Sequence, residues 1–498
     1  MLYLLSVLGA WFGFANPVYH LPGAILLFPA GLFLLAREAP SHLAAWKRGW
    51  IAGSIAYTAC LYWIAIPVHE FGPLPWILAL PCPVLVGLFL GLYPAFFALF
   101  IRVGGRTFSW PLLGLLAGLL WTSLEHLRAE LLTGFPWLTL SQALSPWPMA
   151  IQSVQVLGAF GLSGLLVLLT VWVLAGWKRP LAWTAVALAV AVIGLQGSLA
   201  LRTPPPKGSN LNVSIIQGNI DQNRKWERQY QERTLEKYLS LSLKEIRDED
   251  PDLLLWPETA MPFYLQEPSA LTARIKDFTA RHELPLVTGA PGYRQNGSSY
   301  TFFNRAYLLG PDGEVRDIYG KQHLVPFGEY VPLQSLLPFV DALVAGIGDF
   351  APGIHSDPLQ LEKVALGTLI CYEVIFPDLA QTQVEQGAGM LINLSNDAWF
   401  GRSSGPFQHL HQAVLRAVEQ QRYLLRATNT GISAIIDPRG RLLSTGALNE
   451  TCSLNAPGIT SIEQRTFYSR HVDMIRSGAF LAALALLGAG TLRARLAS

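Results

Sequence analysis

The chain has 498 residues, of which 51% are hydrophobic and only 14% charged, and its mean hydropathy is +0.33. It is longer than one ordinary domain and far more apolar than a soluble protein, so much of it belongs in lipid. A net charge of +2 with scattered basic residues argues against nucleic acid as a partner, and four cysteines (Cys60, Cys82, Cys371 and Cys452) form neither a disulfide framework nor a zinc spacing.

Apolar runs cover residues 1–37, 50–68, 76–103, 110–124, 150–176, 181–200 and 477–492. The first is long enough for two helices broken near Asn16-Pro17, which predicts about eight transmembrane helices of roughly 20 residues each. Met1 is followed by no basic segment and no small-residue cleavage site, so the first helix reads as retained rather than as a signal peptide. Basic residues cluster at Arg37, Lys47 and Arg48, at Arg102 and Arg106, at Lys178 and Arg179, and at Arg493 and Arg495. With eight helices every cluster falls on one side, which the positive-inside rule makes cytoplasmic. Both termini then lie in the cytoplasm, and residues 204–474 form an exterior domain between membrane segments 1–203 and 475–498. Cys60 and Cys82, inside apolar runs, read as small buried hydrophobes.

After the stiff linker Thr203–Gly208 the composition becomes that of a soluble domain. Strand-like runs occur at Leu211–Gln217, Asp252–Trp256, Leu284–Thr288, Ala306–Leu309, Val364–Ile370, Met390–Leu394 and Ile432–Ile436, with helical patterns at Lys225–Arg247, Ala270–His282 and Phe407–Arg426. This alternation predicts a layered α/β domain. The turn signals Gly310-Pro311-Asp312-Gly313 and Asp437-Pro438-Arg439-Gly440 follow strand runs and suggest two similar halves.

Three chemistry-bearing residues follow apolar strands: Glu258 after DLLLWP, Lys321 opening KQHLVPFGEYVP, and Cys371 closing VALGTLI. Taken singly each has a plain reading: a packed thiol, a turn carboxylate, an exposed lysine. Together they are the parts of an acyl-transfer site, with a nucleophile, a general base and a cation to favour the thiolate and steady a tetrahedral oxyanion. An unpaired cysteine in an oxidising exterior compartment is a liability unless its chemistry is used.

These three segments resemble the nitrilase superfamily of carbon-nitrogen hydrolases, an αββα sandwich fold with a Glu-Lys-Cys triad. The membrane helices, with GKQHLVPFGEYVP and LINLSNDAWFG, extend the resemblance over the whole chain to the bacterial apolipoprotein N-acyltransferase family. The resemblance implies a polytopic inner-membrane enzyme with a periplasmic catalytic domain and no cofactor or metal. Its donor would be a phospholipid, typically phosphatidylethanolamine, and its acceptor the α-amino group of a diacylglyceryl apolipoprotein. Residue by residue it implies Glu258 as general base, Lys321 as oxyanion stabiliser, Cys371 as nucleophile and Glu329 as a second active-site glutamate. Tyr372, Glu373, Trp226, Asn304 and Trp399, the last in NDAWF, would be supporting or substrate-binding residues. Segments 332–348 and 262–265 would be apolar arms that admit lipid and exclude water. Two other readings stay open: a membrane-tethered amidase of the same superfamily acting on a small amide, and a transporter or scaffold with a catalytically silent exterior domain. His323, His409 and His411 offer a Cys-His pair that the Glu and Lys matches make unnecessary, and Glu125, His126, Arg128 and Glu130 cluster at a predicted helix end.

Overall fold

A computed structural model describes residues 1–72, 74–204, 209–330, 350–362 and 364–497. The segment 332–348, read above as an arm, lies outside the described residues.

The first 204 residues are helical: α1 (Leu2–Gly13), α2 (Leu27–Arg37), α3 (His42–Cys60), α4 (Ala65–Glu70), α5 (Trp76–Ala79), α6 (Pro81–Leu90), α7 (Leu92–Gly104), α8 (Trp110–Glu130), α9 (Val154–Ala175) and α10 (Pro180–Arg202). The break near Asn16 has a local cause. The Asn16 amide donates to the Trp11 and Tyr19 carbonyls, while its Oδ1 accepts from Val18 and Tyr19 N–H, so the side chain takes over bonds a continuing helix would make.

Four helical stretches are long and apolar enough to cross a membrane: Trp76–Gly104, Val154–Ala175, Pro180–Arg202 and Phe467–Arg493. Counting the bent pair His42–Cys60 and Tyr62–Glu70 as one span makes five. The sequence reading of eight is therefore not reached on length and composition. The 12 residues of α1 rise only about 18 Å at 1.5 Å per residue, well short of a hydrocarbon core of about 30 Å. The last turns of α8 instead carry buried charge, Glu125 and Arg128. Around α10 and the C-terminal helix α15 (Phe467–Ala497) large apolar side chains such as Leu188, Leu195, Phe480 and Leu484 are exposed, the surface a lipid-facing helix presents.

The domain from residue 209 onward contains two six-stranded sheets packed face to face. Their strands are β1 (Asn210–Gln217), β2 (Leu253–Leu255), β3 (Leu286–Asn296), β4 (Ser299–Leu309), β5 (Val315–Gly320), β6 (Leu359–Leu361), β7 (Val364–Ile370), β8 (Met390–Ser395), β9 (Leu424–Thr428), β10 (Ala434–Ile436), β11 (Leu442–Thr445) and β12 (Cys452–Thr460). The spatial orders are β12-β1-β2-β3-β4-β5 and β11-β10-β9-β8-β7-β6. In each sheet three strands run parallel and then fold back through an antiparallel meander, β1-β2-β3 into β4-β5 and β7-β8-β9 into β10-β11. The two turn signals connect β4 to β5 and β10 to β11, equivalent places in the two halves.

Val213, Ile215, Leu255, Leu366, Ile392 and Leu425 fill the space between the sheets. Helices α11 (Arg228–Glu249) and α12 (Ala270–His282) cover the first sheet with Leu235, Tyr238, Ile275 and Phe278. Helices α13 (Pro377–Glu385) and α14 (Gly405–Gln420) cover the second. The expected helix over 407–426 stops earlier because Gln421 adopts φ 51°, and the next residues become β9. Strands β5, β6, β11 and β12 go beyond the sequence reading, since each is short, charged or weakly alternating.

Helix α14 is buried along almost its whole length, because its outer face meets the membrane helices instead of water. Polar groups lock this joint. Gln408 Oε1 accepts from the indole N–H groups of Trp63 (3.0 Å) and Trp137 (2.8 Å), and its amide donates to the carbonyls of Ala15 and Cys60 (both 3.1 Å). Gln412 donates to the Pro136 carbonyl at 3.0 Å. Replacing Gln408 by Leu keeps the volume and strands two indole donors, each worth about 1–3 kcal/mol when left unpaired. We expect Gln408→Leu to destabilise the protein by roughly 3 kcal/mol. The thermal midpoint of the detergent-solubilised chain checks this, and an unchanged midpoint would contradict it.

Candidate active site

Strands β2, β5 and β7 end on one edge of the sandwich, and their last turns deliver Glu258, Lys321 and Cys371 there. The approach of β3 to Glu258 requires Gly289: a Cβ on it would lie 2.5 Å from Thr259 N and 2.7 Å from Glu258 Cα. All three side chains are buried, Lys321 at 1% exposure. In the low-dielectric interior they must compensate one another.

The compensation is a four-residue cluster. Lys321 Nζ lies 2.9 Å from both carboxylate oxygens of Glu329 and 3.6 Å from Glu258 Oε1. The Asn304 amide donates to Glu258 Oε1 at 2.7 Å and to Glu329 Oε1 at 3.0 Å, bridging the two carboxylates, while Val325 N–H donates to Glu329 Oε2 at 2.9 Å. Burial alone would lower the Lys321 pKa, but Glu329 and Glu258 outweigh it and hold the ammonium well above its usual value. Glu258 Oε2 is buried and has no hydrogen-bond partner among the described residues.

Cys371 leaves β7 with φ 52°, a left-handed conformation that a non-glycine residue adopts only when its surroundings impose it. Its carbonyl is held from behind. His409 Nε2 lies 3.1 Å from it and the Asn393 amide 3.5 Å. Because a carbonyl only accepts, His409 Nε2 carries a proton, while Nδ1 lies 3.0 Å from Asp397 Oδ1 and 2.9 Å from Arg426 Nη2. Burial and then Arg426 lower the His409 pKa, against the pull of Asp397. Asp397 completes the network, with Arg426 Nη2 at 2.6 Å and the Ser395 hydroxyl at 2.7 Å. Burial acts to raise its pKa, but Arg426 and His409 hold it below the usual carboxylate range. This His is thus an orienter of the nucleophile's backbone and not a partner of its sulfur.

Glu373 ties the cysteine turn to the lysine loop. It accepts from Ile370 N–H (2.6 Å), Gln322 N–H (2.6 Å), His323 N–H (3.1 Å) and the Tyr319 hydroxyl (3.1 Å). Burial pushes its carboxyl up to about 7, against the pull of the Ile370 N–H and Lys321. The Tyr372 hydroxyl donates to the Gly134 carbonyl at 3.2 Å, so that side chain points at the membrane domain and leaves only its backbone near the thiol.

The remaining sequence candidates lie further out. Trp226 is 48% exposed, beneath the Lys225 ammonium at 5.6 Å, with no contact to the triad among the described residues. Trp399 packs at 4.5 Å against Phe71 with its ring tilted 59°, at the end of α4, where the two domains meet. In the segment 262–265, Pro262 and Leu265 are buried and Tyr264 packs on Tyr293 and Phe302, so it lies against the sheet rather than projecting as an arm. The Asp397–His409–Arg426 network is an addition to the sequence reading. Its one legible signal is Arg426, a charge in the middle of the apolar strand LLRAT.

One expectation is reversed. The lysine was read as favouring the thiolate, yet the Cys371 pKa is raised, first by burial and then by the Glu258 charge, with Lys321 offsetting only part. The resting nucleophile is a neutral thiol. The arrangement therefore suits a reaction in which a base removes the thiol proton during attack, not beforehand.

Residues 212–455 match the family model of carbon-nitrogen hydrolases. Residues 8–172 match that of the apolipoprotein N-acyltransferase N-terminal domain. A protein of Geobacter metallireducens named apolipoprotein N-acyltransferase is 38% identical over 483 residues, covering 93% of this chain and 91% of its own. Proteins of the same name from Nitrosomonas europaea and Azotobacter vinelandii are each 35% identical, covering 89% and 87% of this chain and 88% and 84% of theirs.

The raised thiol pKa predicts the pH dependence of modification. Only thiolate reacts with iodoacetamide, so below the folded pKa the Cys371 alkylation rate should climb about tenfold per pH unit, without levelling between pH 7 and 9. Peptide mass spectrometry of timed samples measures it, and a plateau below pH 8 would show a thiolate already present.

Proposed function

The chain belongs to the apolipoprotein N-acyltransferase family, and on that premise we propose that it transfers a fatty acyl group from a membrane phospholipid to a lipoprotein through a thioester on Cys371. The donor is phosphatidylethanolamine in this reading. The acceptor is the α-amino group of the diacylglyceryl cysteine at the lipoprotein's N-terminus. The observation that carries the reading is Glu258 Oε2, a buried carboxylate oxygen left unpartnered while Oε1 is fixed by Asn304.

The thiol attacks the ester carbonyl as Glu258 takes its proton, and the carbonyl oxygen becomes an oxyanion beside Lys321 and the Tyr372 N–H. The C–O bond breaks, Glu258 returns the proton to the leaving alkoxide, and lysophospholipid departs. The amine then attacks the thioester, Glu258 receives its proton and passes it to the departing sulfur. Net charge inside the cluster never changes by more than the internal transfer. With Lys321 as one cation and Glu258 and Glu329 as two anions, the resting site carries one negative charge, which moves from Glu258 to the reacting atoms. Glu329 and Asn304 keep Lys321 and Glu258 in place, and Glu373 sets the distance between the cysteine turn and the lysine loop.

For the membrane, we take all eight helical segments as spans, the short α1 and α2 included, with both termini cytoplasmic. Residues 204–474 then face the periplasm from the inner membrane. The one-sided clustering of Arg37, Lys47, Arg102, Lys178 and Arg493 supports this. In this reading lipid enters at the domain junction, which the contact of Trp399 with Phe71 supports.

Incubation with phosphatidylethanolamine should add one fatty-acyl mass to the Cys371 peptide, removable by hydroxylamine. Cys371→Ala should carry none, and an acyl mass persisting on that variant would refute the thioester. Glu258→Gln should fold normally and slow the first half-reaction by at least about a hundredfold, within the range for a lost general base. A lysophospholipid burst of wild-type rate would remove Glu258 from that role.

A further inference from the structure

The loop between β1 and α11 and the first turns of α11 enclose a cavity of about 250 Å³, several times the ~30 Å³ share of one water molecule. Arg224, Lys225, Arg233 and Lys237 line it, with Asp221 as its single carboxylate. Arg224 pairs with Asp221 at 3.8 Å, which leaves three of the four cations without a carboxylate in the lining. The guanidinium groups of Arg224 and Arg233 lie against the ring of Tyr230, at 5.7 and 5.4 Å from its centroid. The nearby glutamates are committed elsewhere: Glu232 and Glu236 both pair with Arg274.

Lys225 forms the floor. It is 1% exposed, and its ammonium has the Trp226 ring at 5.6 Å but no hydrogen bond or ion pair among the described residues. A buried ammonium without a partner costs several kcal/mol unless an anion meets it. Burial lowers its pKa to about 8, partly offset by Glu258, so the same side chain that floors the cavity lies within electrostatic reach of the active-site base.

The cavity is also tied to the site mechanically. Asn219 and Ile220 N–H donate to Asn429, and Asn396, next to Asp397, donates to Gln222. On the other flank, Gln231 donates to the Pro262 carbonyl, four residues beyond Glu258. Arginine and lysine clustered around a pocket recognise phosphate oxygens, arginine through its fork and lysine as a point charge.

We propose that this cavity is a phosphate-binding subsite, and that it holds the phosphodiester of the donor lipid while the acyl ester lies at Cys371. The assignment rests on the acyl-transfer reading above. Lys225 and the guanidinium groups take the phosphate oxygens, and Asp221 suits a cationic headgroup amine.

The test uses the full-length protein in detergent with two acyl donors, phosphatidylethanolamine and the phosphate-free ester 4-nitrophenyl palmitate. Glycerophosphoethanolamine, the headgroup without acyl chains, should slow Cys371 acylation by phosphatidylethanolamine competitively in the wild type. The rim double variant Arg233→Gln/Lys237→Gln should lower kcat/KM for phosphatidylethanolamine relative to the phosphate-free ester about tenfold, mainly through KM. An unchanged ratio together with no inhibition by glycerophosphoethanolamine would overturn the subsite. Protection of the cavity by inorganic phosphate with an unchanged donor ratio would show a site for free phosphate and overturn the headgroup assignment. If neither donor acylates Cys371 even in the wild type, the acyl-transfer reading itself fails.

Discussion

A lysine ammonium buried between two carboxylates is the interaction on which the catalytic site depends. Lys321 cannot stay charged inside the protein without Glu258 and Glu329, whose carboxylates lie 3.6 and 2.9 Å from its ammonium. Asn304, donating to each carboxylate, turns an electrostatic balance into a fixed geometry. The consequence reaches the nucleophile. Burial, and after it the Glu258 charge, disfavour a negative charge on sulfur, which is why the thiol remains protonated although an ammonium is close by. Charge appears on the reacting atoms only when Glu258 gives up its own, so the sequence of proton transfer and attack is built into the electrostatics.

The backbone of the nucleophile is held with the same economy. A left-handed Cys371 brings its sulfur to the end of β7 at the cost of local strain, and its carbonyl turns toward the sheet interior. There His409, oriented by Asp397 and Arg426, satisfies that carbonyl, while Glu373 gathers the N–H groups of the cysteine turn and the lysine loop. Two buried networks thus face each other across one residue, one fixing the main chain of Cys371 and the other the cation near its side chain. The parallel β7, β8 and β9 make this feasible: Cys371, Asn393 with Ser395, and Arg426 come from adjacent strands.

How much of this could be read from residues alone differs by element. Strands β1, β2, β7 and β8 are continuous apolar runs ended by chemistry-bearing residues, so both they and the triad are legible. Strands β5, β11 and β12 are not, since half-exposed, polar sequences such as VRDIYG and LLST gain their strand identity only from a neighbour. The end of α14 was missed because Gln421 carries no stop signal; a glutamine in left-handed conformation is imposed by the fold. The role of His409 depends on partners 12 and 17 residues away as well as on the Cys371 carbonyl 38 residues away, and no local pattern encodes that. The membrane count is not confirmed for another reason: apolar composition marks helices well, but α1 and α2 are too short to reveal by length whether they cross.

The outer layer of the sandwich explains why such a site sits on a membrane domain. In the first sheet α11 and α12 carry a polar face to solvent, as an ordinary α/β layer does. In the second, α14 is sealed against the helix bundle, and the polar side chains on its outer face, Gln408 and Gln412, are bonded to tryptophans and to main-chain carbonyls of the membrane domain. Water therefore has no route to Cys371 from behind. Tyr372, bonded to Gly134, closes the same side directly next to the nucleophile. Elsewhere the junction of the two domains carries the aromatic contact of Trp399 with Phe71. A thioester formed there would meet chains arriving from the bilayer before it met bulk solvent, and that ordering, more than any special reactivity of the sulfur, separates acyl transfer from hydrolysis.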